Sequence, residues 1–160
     1  MIREILFKAK RVDNGEWVEG AYYKQDYFYG DEVEKHIIIT SSDALTNDFD
    51  LDFYKVIPET LGQFTGLTDK NGKRIFEGDI VRVKGVKGDE NWKDYDEIGK
   101  AVFVDGAFLI EVPKEYNGIK HYSKIHSYYM TTADWVTREV VGNRFDNPEL
   151  LTAERSDNEN

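Results

Sequence analysis

Lys100-Ala101-Val102-Phe103-Val104-Asp105-Gly106-Ala107-Phe108-Leu109-Ile110-Glu111-Val112 reads as two apolar strands closed by a two-residue turn. Asp-Gly tolerates the positive φ that a tight hairpin turn requires, and β-branched and aromatic side chains suit the flanks. Working outward, the same kind of turn signal recurs at Asn14-Gly15, Asn71-Gly72 and Asn117-Gly118. Asn14-Gly15 joins Ile5–Val12, where Ile5, Phe7 and Ala9 alternate with polar neighbours, to Glu16–Tyr23. Further strands are predicted over Lys35–Thr40, Tyr54–Ile57 before Pro58, Ile80–Val83 after the Glu77-Gly78-Asp79 turn, and Arg138–Phe145. Gly62-Gln63-Phe64-Thr65-Gly66 reads as a glycine-rich strand, not a phosphate loop. That makes about nine strands, spaced as in a barrel or sandwich.

Helix signals are few. Asp146–Leu151 predicts a short helix, with Asn147 as its cap and Pro148 at its first position. Thr131–Trp135 predicts a single turn, and Ser41–Asp52 a short helix or a loop. The polar run Gly85–Gly99 reads as a mobile insertion. The organisation expected is an N-terminal β lobe over 1–60, a barrel-like lobe over 61–151 sharing one core with it, and a disordered tail over 152–160.

A chain of 160 residues without cysteine excludes disulfides, thiolate catalysis and cysteine zinc sites. The first residues are too charged for a secretory signal, and no run approaches the ~18 apolar residues of a membrane span. The localisation expected is cytoplasmic, with no membrane partner. Net charge is −10, from 31 acidic and 21 basic residues. Phosphate-backbone binding draws its affinity from Lys and Arg, so this balance disfavours nucleic acid.

The residues that carry chemistry elsewhere show no catalytic pattern here. His36, His121 and His126 form no metal-binding pair, and His121 and His126 lie five apart, on opposite sides of a continuous strand. The acidic clusters Asp43, Asp48, Asp50, Asp52 and Asp89, Glu90, Asp94, Asp96, Glu97 lack the calcium-loop spacing. There is no nucleophile elbow. The reading is a non-enzyme with no metal and no cofactor.

Aromatic residues are the positive signal, at 14% of the chain. Tyr22, Tyr23, Tyr27, Phe28 and Tyr29 cluster early, and Tyr122, Tyr128 and Tyr129 late. A base-stacking platform interleaves aromatics with Lys or Arg, but the neighbours here include Asp26, Asp31, Glu32 and Glu34. Tyrosine is enriched at protein contacts. The candidate interaction surface is therefore Tyr22, Tyr23, Tyr27, Tyr29, Trp92, Tyr95, Tyr128 and Tyr129. The alternatives are a basic face of Lys70, Lys73, Arg74, Arg82, Lys84 and Lys87 for nucleic acid, or an acidic surface acting as a DNA mimic.

Three blocks carry a resemblance. They are Arg3–Lys10 with Gly15–Gly20, Gln63–Val81, and Glu139–Leu151. Together they resemble the YopX family, found largely in bacteriophages and prophages of Gram-positive bacteria. Arg144-Phe145 departs from the family's frequent Ile-Tyr, and Val86–Gly99 is an insertion in a variable region. The resemblance implies a mainly β fold of several small antiparallel sheets with SH3-like, barrel-like character and few short helices. It also implies self-association, a phage or host protein partner and a bacterial host cytoplasm. It assigns no catalytic residue.

Overall fold

A computed structural model describes residues 4–28, 31–41, 51–87, 93–116, 119–124 and 136–152. The expected turn at Thr131–Trp135 and residues 153–160 of the tail lie outside them, as does the Asn117-Gly118 turn. The chain divides into two compact units, Met1–Gly66 and Leu67–Asn160.

In the first unit, β1 (Phe7–Lys10), β2 (Trp17–Phe28), β3 (Asp31–Ser41), β4 (Leu51–Lys55) and β5 (Gly62–Thr68) lie in the order β4-β3-β2-β1-β5. All four pairings are antiparallel. Directly opposed residues share a face. The matches Ala9↔Val18, Phe7↔Gly20 and Tyr22↔Ile38 therefore gather one apolar side. Ala9, Ile38 and Val56 are buried there, with Phe7, Val18 and Leu61 packed against them. After β4 the chain makes a 3-10 turn at Pro58–Thr60. The buried Thr60 hydroxyl accepts from Lys10 N–H at 2.8 Å and donates to Ile57 C=O at 2.6 Å.

β5 runs through Gly66, and β6 (Arg74–Phe76) is its neighbour. In the second unit β7 (Asp79–Lys87), β8 (Lys93–Val104), β9 (Ala107–Tyr116), β10 (Ile119–Lys124) and β11 (Val136–Asn143) form a sheet in the order β10-β9-β8-β7-β11. The β8–β9 connection is the Asp105-Gly106 turn, with φ of 50° and 81° as the left-handed pair demands. Ile75, Val81, Val83, Ala101, Ile110 and Val112 form the core, joined by Leu67, Phe108, Val136 and Val140.

The protein is thus mainly β and antiparallel, as read from the turns. No closed barrel forms among the described residues; the barrel-like character is confined to the first sheet, where a bridge from Arg11, just past β1, to Val56, just past β4, links strands at its two sides. The expected mobile insertion is corrected over most of its length. Gly85↔Tyr95, Val86↔Asp94 and Lys87↔Lys93 extend the β7–β8 ladder. Charged residues on both edges hid the strand alternation there. The last strand ends at Asn143, short of Arg144-Phe145. Pro148–Leu151 is a single 3-10 turn, and Asn147 does not cap it. Its side chain turns back to accept from Asn143 N–H at 3.3 Å. Gly142 permits this, since a Cβ there would meet Asn147 Oδ1 at 2.7 Å. Thr152 closes the turn, its N–H donating to Glu149 C=O at 3.0 Å.

Two buried carboxylates pin the turns of the second unit. Asp79 is 1% exposed, and accepts from Phe76 N–H at 2.8 Å and from Asn143 Nδ2 at 3.0 Å. Asp69 is 6% exposed and accepts from the N–H groups of Asn71 (2.8 Å), Lys73 (2.9 Å) and Val140 (3.1 Å). Burial alone would raise its pKa. The Val140, Lys73 and Asn71 amides and the Lys73 charge outweigh burial and hold it below the ordinary carboxylate value.

Asp79→Ala leaves the Phe76 amide and the Asn143 carboxamide without a buried acceptor. Each such loss costs about 1–3 kcal/mol, so urea denaturation should show a destabilisation of about 3 kcal/mol; a loss below about 1 kcal/mol contradicts this account. Asp69 has a depressed folded pKa, so its stabilisation is complete above the unfolded value of about 3.9 and is lost as pH falls through the folded one. The urea midpoint of Asp69→Asn should therefore depend less steeply on pH in the acid range than that of the wild type.

Candidate interaction surface

Strand geometry separates the early tyrosines. Neighbours along a strand point to opposite faces, so Tyr22 and Tyr23 cannot serve one surface. Tyr22 lies on the core face of the first unit, its ring 5.5 Å from Phe7 and 6.0 Å from His36. Its hydroxyl meets His36 Nδ1 at 2.7 Å, and His36 Nε2 meets Glu34 Oε1 at 3.2 Å. An ionised carboxylate only accepts, so Nε2 carries the proton of that contact. In the neutral ring Nδ1 is then the acceptor, and the Tyr22 hydroxyl donates. Lys24 Nζ completes the cluster, 3.2 Å from Glu34 and 3.1 Å from Asp26.

The electrostatics fit a locked array. Burial raises the Tyr22 pKa, so the phenol stays protonated and acts as a donor. Glu34 is lowered by its bonds from Lys24 and His36, and Lys24 is raised by Asp26 and Glu34. The pairing Lys24↔His36 puts Tyr22 diagonally across from His36. Sequence reading missed this contact because nothing short of the strand register places residues 22 and 36 together.

Tyr23 faces the other way. The matches Ala21↔Ile39↔Phe53 and Tyr23↔Ile37↔Lys55 run straight across three strands. Leu51, two residues before Phe53, shares that side. The result is an apolar patch with Tyr23 53%, Leu51 49% and Phe53 62% exposed, flanked by Ala21, Ile37 and Ile39. Leu51, Phe53 and the two isoleucines were absent from the sequence-based list, which followed tyrosine and tryptophan alone.

Of the other expected contact residues, Tyr27 is placed on β2 and Tyr95 on β8. Tyr29, Trp92, Tyr128 and Tyr129 lie outside the described residues. His121 falls on β10, and His126 lies outside. No group of three potential metal ligands occurs among the described residues. Nor is any described helix long and apolar enough to cross a membrane.

Three of the six cations considered for nucleic acid are paired with carboxylates of the second unit. Arg82 makes a two-pronged contact to Asp96 at 2.7 and 2.6 Å, and Lys84 reaches the same carboxylate at 3.1 Å. Lys70 pairs with Glu139 at 2.7 Å. Cations held this way offer phosphate less than their number suggests. The Arg82 bonds, aided by Lys84, lower the Asp96 pKa to about 2.

The YopX protein family matches this chain over residues 6–152. No curated protein matches it. Among solved structures, protein EF1440 from Enterococcus faecalis is similar at 19% identity and a TM-score of 0.46, over 92% of this chain and 98% of that one.

The Asp96 carboxyl should titrate near 2 when followed by carbon NMR, and Arg82→Gln should move that midpoint up toward the ordinary value. An unchanged midpoint in the variant would remove the assigned cause.

Proposed function

The chain belongs to the YopX family, and on that premise we propose that it is a protein-binding module of a phage or prophage, not an enzyme, acting in the host cytoplasm. The observation that carries this reading is the apolar patch on the outer face of β2–β3–β4. Tyr23, Leu51 and Phe53 stand in solvent on a regular sheet, at 53%, 49% and 62% exposure. Single exposed apolar residues are ordinary, but a contiguous group with aromatic members marks a contact surface. Aromatic anchors supply much of the energy of such contacts, because each removes a large area from water. The sheet also holds the patch at fixed spacing, which lowers the ordering cost of binding.

The nucleic-acid alternative fares worse on the same grounds. The net charge is −10, and Lys70, Arg82 and Lys84 already meet carboxylates.

The test is chemical cross-linking of the full chain in lysate from a phage-carrying host, with partners identified by mass spectrometry. Tyr23→Ser with Phe53→Ser should leave folding intact, since exposed substitutions usually change stability by about 0.5 kcal/mol or less. The double variant should lower recovery of each specific partner about tenfold. Equal recovery, or no specific partner with the wild type, would refute the assignment.

A further inference from the structure

β4 is the outermost strand of its sheet among the described residues. Its hydrogen-bond phase is fixed at one point, where Val56 N–H donates to His36 C=O at 2.9 Å. In an antiparallel ladder such bonds recur at every second residue. Tyr54 and Asp52 therefore direct their main-chain groups to β3, and Lys55, Phe53 and Leu51 direct theirs outward.

One end of this outward row is already in use. Lys55 C=O accepts from Val12 N–H at 2.9 Å, and Ile57 N–H donates to Lys10 C=O at 2.8 Å, around the antiparallel bridge Arg11↔Val56. The chain thus lays a short strand of its own on this edge, then turns away at Asp13-Asn14-Gly15. Beyond Val12, the outward groups of Phe53 and Leu51 meet no partner among the described residues. Their side chains, with Val12 at 61% exposure, line the same solvent-facing side. Lys55 lies on that side too, opposite Val12 and two residues along from Phe53.

We propose that the open half of β4 captures an extended segment of a partner protein as an added strand. The proposal rests on the protein-binding reading and specifies its ligand. Unpaired N–H and C=O groups on a sheet edge call for another strand, the mode by which several peptide-binding domains work. The segment carries apolar side chains at alternate positions, to lie beside Leu51 and Phe53. A carboxylate stands at the end that meets the Lys55 ammonium.

The experiment is fluorescence anisotropy on the full chain. The probes are labelled, C-terminally amidated octapeptides that alternate Val, Ile or Phe with Thr and carry Glu at one end, first or last, so that either strand direction is sampled. Two controls are a Lys-ended set and a set N-methylated at alternate residues in either phase. At least one Glu-ended peptide should bind. N-methylation in one phase should weaken it about tenfold, because each blocked ladder donor is lost with its bond. The Lys-ended form should bind several-fold more weakly, and Phe53→Ser about tenfold more weakly. Amide exchange at Phe53 should slow on binding. Absence of binding across the set, or indifference to N-methylation in both phases, overturns strand capture. Cross-linked partners lost in the Tyr23/Phe53 double variant would still uphold the protein-binding reading in that event, so the two fail separately.

Discussion

The bond from Val56 N–H to His36 C=O sets which main-chain groups of β4 look inward and which look out. A shift of one residue would reverse them, and would also exchange the two faces of the strand. With the observed phase, Ile38 and Tyr22 lie on the core side, and Phe53, Ile39 and Ala21 on the solvent side. The apolar patch and the open edge are thus two consequences of one register. The core sets that register, since Val56 is buried with Ala9 and Ile38, and slipping β4 by one residue would carry Val56 out of the core.

Much of the architecture was legible because it rests on local chemistry. Asp105-Gly106, Asn14-Gly15 and Asn71-Gly72 mark turns whose geometry the residues themselves dictate, and Gly15, Gly72 and Gly106 all take positive φ. The β7–β8 extension was not legible, because its strands carry charge where a half-buried strand would alternate. Asn147 illustrates a different failure. Its sequence position suits a cap, but Gly142 leaves room for a competing acceptor contact with the Asn143 amide.

The exposed apolar patch was half legible. Aromatic enrichment pointed to this region, and Tyr23 is on the patch. Composition carries no parity, however, so Tyr22 entered the same list although it faces the core beside His36. Phe53, Ile37 and Ile39 gain meaning only through cross-strand matching, a non-local property. The outer side of β7 and β8 shows the contrast: Arg82, Lys84 and Asp96 form a mutual ion cluster. Such exposed pairs contribute little stability, but they keep a sheet face soluble.

An open apolar edge invites association with its own kind, and β4 carries features that oppose this. Pairing two copies over Leu51–Phe53 sets Asp52 against Asp52, and like charges directly opposed destabilise a ladder. Sliding the pairing toward Lys55 brings the second copy onto Val12, which already occupies the Lys55 carbonyl. The accessible stretch is short, and short charged edges are how natural sheets avoid indiscriminate pairing. A different strand, without an acid at the position facing Asp52 and stopping short of Val12 with an acid in reach of the Lys55 side chain, meets neither obstacle. Under the strand-capture proposal, then, charge and length restrict which strand can pair with this edge, and the exposed Phe53 and Leu51 side chains supply the attraction.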